Sequence, residues 1–126
     1  NKPKSNFETI KTLAQVYLKL KVNPKKDVIK IDGFTKDDTK VVENLVARMR
    51  VCKVYNDGKV PTKKDKRYYP WHWLNSSGSG LVFYASYYHD VGAHTSSAAR
   101  LSFLSKEASD KYVENFMSVE EGIIGL

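Results

Sequence analysis

Cysteine is almost absent from this sequence of 126 residues, in which Cys52 is the only one. A single cysteine excludes an intramolecular disulfide framework. Long apolar runs are absent too, since no stretch reaches the roughly 18 residues that a membrane-spanning helix needs, so we expect no membrane contact. No signal-peptide pattern precedes the first amphipathic segment, which predicts that the chain is not secreted by its own signal.

Motifs that carry catalysis are missing as well. The sequence contains no Gly-x-Ser-x-Gly elbow and no Walker A motif. Cys52 lies on the apolar stripe of a predicted helix, which favours a buried, inert thiol. His89, Asp90 and His94 are close in sequence but match no zinc-ligand spacing. We therefore predict no enzymatic activity, no cofactor, no metal and no small-molecule substrate, with a hydrolase or metal enzyme around these three residues as the third alternative.

Acidic residues are too few in the first half of the chain to balance its basic residues. Residues 1–67 contain 18 Lys and Arg against eight Asp and Glu, whereas residues 68–126 contain three against six. The net charge of the whole chain is +7. This asymmetry indicates an anionic partner for the first half. A lysine-rich helix surface that keeps a small domain in solution explains the same charge, and the sequence leaves both explanations open.

Helical periodicity is present at both ends of the chain. Ser5 and Glu8 have the spacing of a capping box, and Thr35 is a second candidate N-cap. Apolar residues follow each of them at spacings of three and four. A closing helix is predicted after Ser105. The expected helices therefore cover about 6–21, 36–54 and the residues from 106 onward.

Between these helices the sequence is rich in aromatic residues, which favours strands. Three strands are expected, at about 68–74, 81–88 and 98–104. Pro70 cannot donate a ladder hydrogen bond, so we expect the first strand at an edge. The predicted fold class is α+β, with two N-terminal helices, a small antiparallel β-sheet of about three strands and a C-terminal helix. We expect a single domain over 1–126, composed of a helical, basic half (1–58), a basic loop (59–67) and an aromatic half (68–126).

Basic and aromatic side chains meet where the basic loop enters the first strand. Proteins that bind single-stranded nucleic acid combine a basic groove with aromatic rings on which bases stack. The same residue types dominate the energetics of protein interfaces, and tyrosines also cover small cores with the hydroxyl group in water. The candidate binding residues are Lys63, Lys64, Lys66, Arg67, Tyr68, Tyr69, Trp71, Trp73, Tyr84 and Tyr88.

Four short motifs follow one another in the second part of the chain. They are Tyr68-Tyr69-Pro70-Trp71, Ser77-Gly78-Ser79-Gly80, Ala99-Arg100-Leu101-Ser102-Phe103 and a closing helix that reaches Phe116. In this order they resemble a group of small, largely uncharacterised proteins from phages and mobile elements of Bacteroides-type bacteria. The sequence departs from the group at His72 and after Gly80. The resemblance implies a phage origin and a compact helix–sheet domain, and it implies no catalytic residues.

The leading functional hypothesis is a non-enzymatic, phage-type binding or assembly protein. Its expected partner is another phage or host protein, or a second copy of the chain. Its expected location is the virion or the cytoplasm of a bacterial host. The alternative is a protein that binds single-stranded DNA or RNA with the basic loop and the aromatic strands.

Overall fold

The computed structural model describes residues 3–26, 30–62, 64–74, 81–89 and 99–124, with the backbone alone for 71–74, 81–85, 87–89 and 99. Helices dominate these residues. They are α1 (Asn6–Thr9), α2 (Leu13–Leu20), α3 (Lys36–Tyr55) and α4 (Lys106–Ile124). The strands β1 (Arg67–Leu74) and β2 (Leu81–His89) form an antiparallel ribbon, and a 3₁₀ turn lies at Ala99–Leu101. The helices α3 and α4 pack against each other, and the ribbon lies against α4.

The single helix predicted over 6–21 is wrong, because this stretch contains a second N-terminal cap. The backbone N–H groups of Lys11 and Thr12 both donate to the side-chain oxygen of Gln15. The Thr12 hydroxyl in turn accepts a hydrogen bond from the backbone N–H of Gln15, so a new helix, α2, begins at Leu13. The apolar spacing continues across the break, which is why the sequence pattern concealed it.

The second predicted helix, over 36–54, agrees with α3, which covers Lys36–Tyr55. The Thr35 hydroxyl accepts from the Asp38 amide, and the Asp38 carboxylate accepts from the Thr35 amide. Beyond the helix the chain reverses through Asp57 and Gly58, whose φ angles are 56° and 79°. Glycine adopts this left-handed conformation without strain, so the stop is encoded locally.

The predicted three-stranded sheet is wrong, and with it the α+β class. Residue 98 of the segment predicted as the third strand, 98–104, lies outside the described residues, and Ala99–Leu101 forms the 3₁₀ turn instead of a strand. The segment then makes one isolated bridge, between Phe103 and Tyr68. Apart from this bridge, and over the residues that the structure describes, β1 and β2 pair with each other in a two-stranded sheet. The described part of the chain is thus a mainly helical protein that carries a two-stranded ribbon.

Side chains of α3 and its C-cap explain why 101–104 is not a strand. The Arg48 guanidinium donates to the carbonyl oxygen of Leu101 at 3.0 Å. The side-chain amide nitrogen of Asn56 donates to the carbonyl oxygen of Ser102 at 3.0 Å. Its side-chain oxygen accepts from the backbone N–H of Leu104 at 2.8 Å. Buried backbone groups need such partners. Because Arg48 and Asn56 supply them, the segment needs no second neighbouring strand.

The core between α3 and α4 is aromatic. The ring centroids of Phe103 and Tyr112 lie 5.1 Å apart. Tyr55 lies 6.2 Å from Phe103 and 6.1 Å from Phe116. These distances are within the range at which aromatic rings attract each other beyond simple burial. The core is therefore completed by Phe103, which comes from outside both helices.

Ser86 links the ribbon to α4. The Ser86 hydroxyl lies 2.6 Å from Asp110 Oδ1 and 2.8 Å from the Ser109 hydroxyl. In the ribbon Ser86 lies opposite Pro70, which is buried. These contacts place the Pro70 and Ser86 face of the ribbon toward α4. We interpret the serine–carboxylate contact as a structural link between the two elements.

The contacts of Asn56 can be tested with a substitution of the same shape. We expect Asn56→Asp to lower the free energy of unfolding by about 1–3 kcal/mol. The carboxylate still accepts from the Leu104 amide, but it has no proton to donate to the Ser102 carbonyl oxygen. Urea denaturation measures the difference. Asn23 is exposed and accepts from the Lys25 amide, so Asn23→Asp is a control that should change stability little; an equal loss in both variants would contradict the role of Asn56.

Candidate functional site

The predicted binding residues are only partly covered by the structure. Lys63 lies outside the described residues. Four of the aromatic residues have a described backbone in the ribbon while their side chains lie outside the description, namely Trp71, Trp73, Tyr84 and Tyr88. The register pairs Tyr68 with Tyr88 and skips Tyr84 at a bulge. Whether these rings form a stacking surface therefore stays a prediction.

The described residues at the start of β1 serve packing to a large extent. Tyr68 packs against the core, and its backbone exchanges two hydrogen bonds of 2.8 Å with Phe103. Arg67 and Tyr69 are half-buried, and Pro70 is buried. Tyr68 is thus held by the core from its ring and from its backbone, and a ring in that position is poorly placed to stack on a base.

The basic loop contains an ordered turn. The Asp65 carboxylate accepts hydrogen bonds from the Thr62 amide at 2.8 Å and from the Thr62 hydroxyl at 3.0 Å. These bonds hold the pKa of Asp65 below its ordinary value. The turn leaves Lys64 and Lys66 exposed. The two lysines therefore lie at the surface, beside a carboxylate that stays ionised at neutral pH.

The residues considered for chemistry do not assemble into a centre in the part of the chain that is described. Asp90 and His94 lie outside it, and His89 is described by its backbone alone. Among the described side chains, no group of three or more His, Cys, Asp and Glu is placed to hold a metal ion. Cys52 is 1% exposed, and burial raises the pKa of its thiol to about 12. The thiol therefore stays protonated and is a poor nucleophile.

A cleft of about 240 Å³ opens beside the second half of α3. The end of α2 and the segment 59–61 form its other walls, and Arg100 closes the rim. Its apolar lining consists of Leu20, Val22, Val46, Met49, Val60 and Pro61. Met49 is 39% exposed and Val60 is 41% exposed. Contiguous apolar side chains that stay accessible mark surfaces that bind partners, and Met49 and Val60 line one cleft together.

Four cationic side chains surround the same cleft. They are Arg50, Lys53, Lys59 and Arg100, and none of the lining residues in the described chain is acidic. The three ion pairs that join two described side chains lie on α4 or connect α3 to α4, and none of the three includes these four cations. Lys59 also interacts with the Asp65 carboxylate, so Arg50, Lys53 and Arg100 supply most of the positive charge that an anionic group entering the cleft would meet. We refer to this surface as the basic cleft.

Arg50 is held in place within the basic cleft. Its guanidinium carbon lies 5.4 Å from the centre of the Tyr17 ring, in a cation–π contact between α3 and α2. A guanidinium fixed on a ring keeps its N–H fork oriented for a carboxylate. Arg50 is therefore an oriented anion-binding group of the basic cleft. A second, more open cleft of about 380 Å³ shares Leu20 and Lys53 with the first and includes Asp57 in its lining.

The sequence predictions did not include the basic cleft. They placed the site on the basic loop and the strands, whereas the cleft combines α2, α3, the start of the loop and Arg100. One sequence signal was available, because Met49 shares its face of α3 with Val46 and Lys53. An exposed apolar pair beside a cation is a weak signal on its own. The signal indicates a cleft only together with the walls that α2, the segment 59–61 and Arg100 supply, and only the tertiary structure brings these walls together.

Comparison of the chain with known protein families, with curated proteins and with solved structures finds no match. The resemblance to phage and mobile-element proteins therefore stays a prediction. Within the described residues, no helix has both the length and the apolar character needed to cross a membrane.

Proposed function

We propose that this chain is a non-enzymatic binding or assembly protein that holds a partner protein in the basic cleft. The observation that supports this function is the combination of an open aliphatic floor with four cations and no lining carboxylate. The occupant that complements it is a protein segment with an exposed aliphatic side chain next to a carboxylate. The apolar floor receives the aliphatic group, and the cations attract the carboxylate.

The size of the cleft favours a protein segment over a small molecule. Pockets for small molecules typically have volumes of about 300–1,000 Å³. The basic cleft, at about 240 Å³, is smaller and is open on one side. It suits one or two aliphatic side chains that project from a partner's surface. Interfaces commonly obtain most of their energy from a few such anchors.

The resemblance to phage and mobile-element proteins supplies the setting of this proposal. In that setting the partner is another phage protein, a host protein or a second copy of the chain. The protein acts in the virion or in the cytoplasm of the bacterial host.

We expect the substitution Met49→Glu to abolish selective peptide binding. The purified wild-type protein is applied to an array of short random peptides, and reproducible enrichment of particular sequences is the signal. A glutamate in the floor both removes apolar surface and repels the carboxylate of the ligand, so binding to enriched peptides should fall about tenfold or more. Circular dichroism checks that the variant is folded.

Leu18→Glu is the matched control for this experiment. Leu18 is 79% exposed on α2 and does not line the basic cleft. It should keep the wild-type peptide selection, because the same change of charge and size is made outside the cleft. Absence of any enriched peptide, or the same loss in both variants, would count against the proposed function.

Nucleic-acid binding is the second candidate, because Lys64 and Lys66 are exposed beside the start of β1. Among the described residues that line the basic cleft, none is an aromatic residue on which a base could stack, which favours the protein partner. Titration with single-stranded and duplex DNA at two salt concentrations separates the two functions. Binding that falls steeply with salt and is insensitive to Met49→Glu would favour nucleic acid.

A further inference from the structure

The C-terminal end of α4 presents the chemistry that the basic cleft complements. Ile124 is 48% exposed, and Glu121 lies one turn before it on the same side of the helix. None of the ion pairs formed by the described residues includes Glu121. An exposed aliphatic side chain therefore lies next to a carboxylate. We refer to the segment Glu121–Ile124 as the α4 tip.

The α4 tip does not reach the basic cleft of its own molecule. Gly122 lies so close to the side chain of Asn44 on α3 that a Cβ atom at this position would clash with it. Successive residues of a helix are rotated by roughly 100°. Val46, Arg50 and Lys53 therefore lie about one-third to one-half of a turn away from Asn44, on the other side of α3. The tip is fixed on one face of α3, and the cleft opens on the opposite face.

We infer that the α4 tip of one copy occupies the basic cleft of a second copy, so that the protein assembles head to tail. This inference rests on the proposed function and names its partner. The two contacting surfaces differ, so each added copy leaves one cleft and one tip free, and such a contact generates rings or open chains. The charge distribution agrees with this arrangement, because the first half of the chain is basic and the second half is acidic.

Sedimentation velocity over a wide range of protein concentration tests the inference. The average mass of the wild-type protein should rise with concentration beyond that of a dimer. Met49→Glu in the cleft and Ile124→Glu in the tip should each weaken self-association by about tenfold or more. Leu18→Glu should behave as the wild type. Both Met49 and Ile124 are partly exposed, so these variants are expected to fold.

Mixing the two defective proteins gives a sharper result. The Met49→Glu protein keeps an intact tip, and the Ile124→Glu protein keeps an intact cleft. An equimolar mixture should therefore form a complex of one copy of each and stop there, because no further intact pair of surfaces remains. Charge reversal offers a second check. Arg50→Glu and Glu121→Arg should each weaken assembly, and a chain that carries both should regain part of it.

The outcomes separate this inference from the proposed function. A wild-type protein that keeps the mass of one chain at every concentration would overturn head-to-tail assembly, as would assembly that Met49→Glu leaves unchanged. If the peptide array still selects sequences in a Met49-dependent way, the cleft binds a different protein and the proposed function stands. If neither self-association nor peptide selection is found, both proposals fail.

Discussion

Replacing Arg48 with methionine is expected to lower the free energy of unfolding by about 3–5 kcal/mol. Arg48 Nη1 lies 3.1 Å from Glu120 Oε1, and the Glu120 side chain is only 2% exposed. The same guanidinium donates to the Leu101 carbonyl oxygen and lies 5.7 Å from the centre of the Tyr112 ring. The substitution keeps most of the side-chain volume but leaves a buried carboxylate without its cation. Urea denaturation followed by circular dichroism measures the loss.

The double variant Arg48→Met/Glu120→Met is the control for this prediction. It removes both charges, and buried ion pairs that are replaced by apolar residues often lose little stability. It should therefore be more stable than Arg48→Met alone. The exposed pair of Lys106 and Asp110 provides a surface comparison, for which Lys106→Ala should change the free energy of unfolding little. A similarly small loss for Arg48→Met would show that the buried pair contributes little.

Truncation of Phe103 is expected to be comparably severe. Phe103 is fully buried, and its ring lies between those of Tyr55 and Tyr112. Phe103→Ala should lower the free energy of unfolding by about 3–5 kcal/mol, because it removes the contact area of the ring and leaves a cavity between α3 and α4. The same denaturation experiment measures this loss.

Two variants calibrate the Phe103 result. Phe103→Leu fills more of the cavity and should cost clearly less than alanine. Phe34 is 44% exposed, so Phe34→Ala should change the stability by less than about 1 kcal/mol. If Phe103→Ala and Phe34→Ala lowered the free energy of unfolding equally, Phe103 could not be part of the core.

Local signals explain which helices could be predicted. The helix α3 follows from Thr35, from the apolar spacing and from the turn after Tyr55, all of which lie within the segment itself. The prediction over 6–21 was wrong because the cap formed by Thr12 and Gln15 competes with an uninterrupted apolar period. A capping box can start a helix in the middle of a periodic stretch, and periodicity alone does not detect it.

Long-range contacts explain where the strand prediction was wrong. The apolar residues around Phe103 have the composition of a strand, but Arg48 and Asn56 bond the backbone of this segment from a distance of more than 40 residues. The first strand was predicted to lie at an edge, with its aromatic residues as candidate binding residues. Tyr68 packs against the core, and its backbone pairs with Phe103. Neither partner is visible from the local sequence.

The sequence by itself determined the helix starts at Ser5, Thr35 and Ser105, the reversal at Gly58 and the unequal distribution of charge. Each of these features depends on neighbouring residues or on composition. Only the tertiary structure decided that the residues around Phe103 complete a helical core and that Arg50 and Met49 share a cleft with Arg100. The physical reason is that burial and hydrogen bonding depend on which distant residues meet.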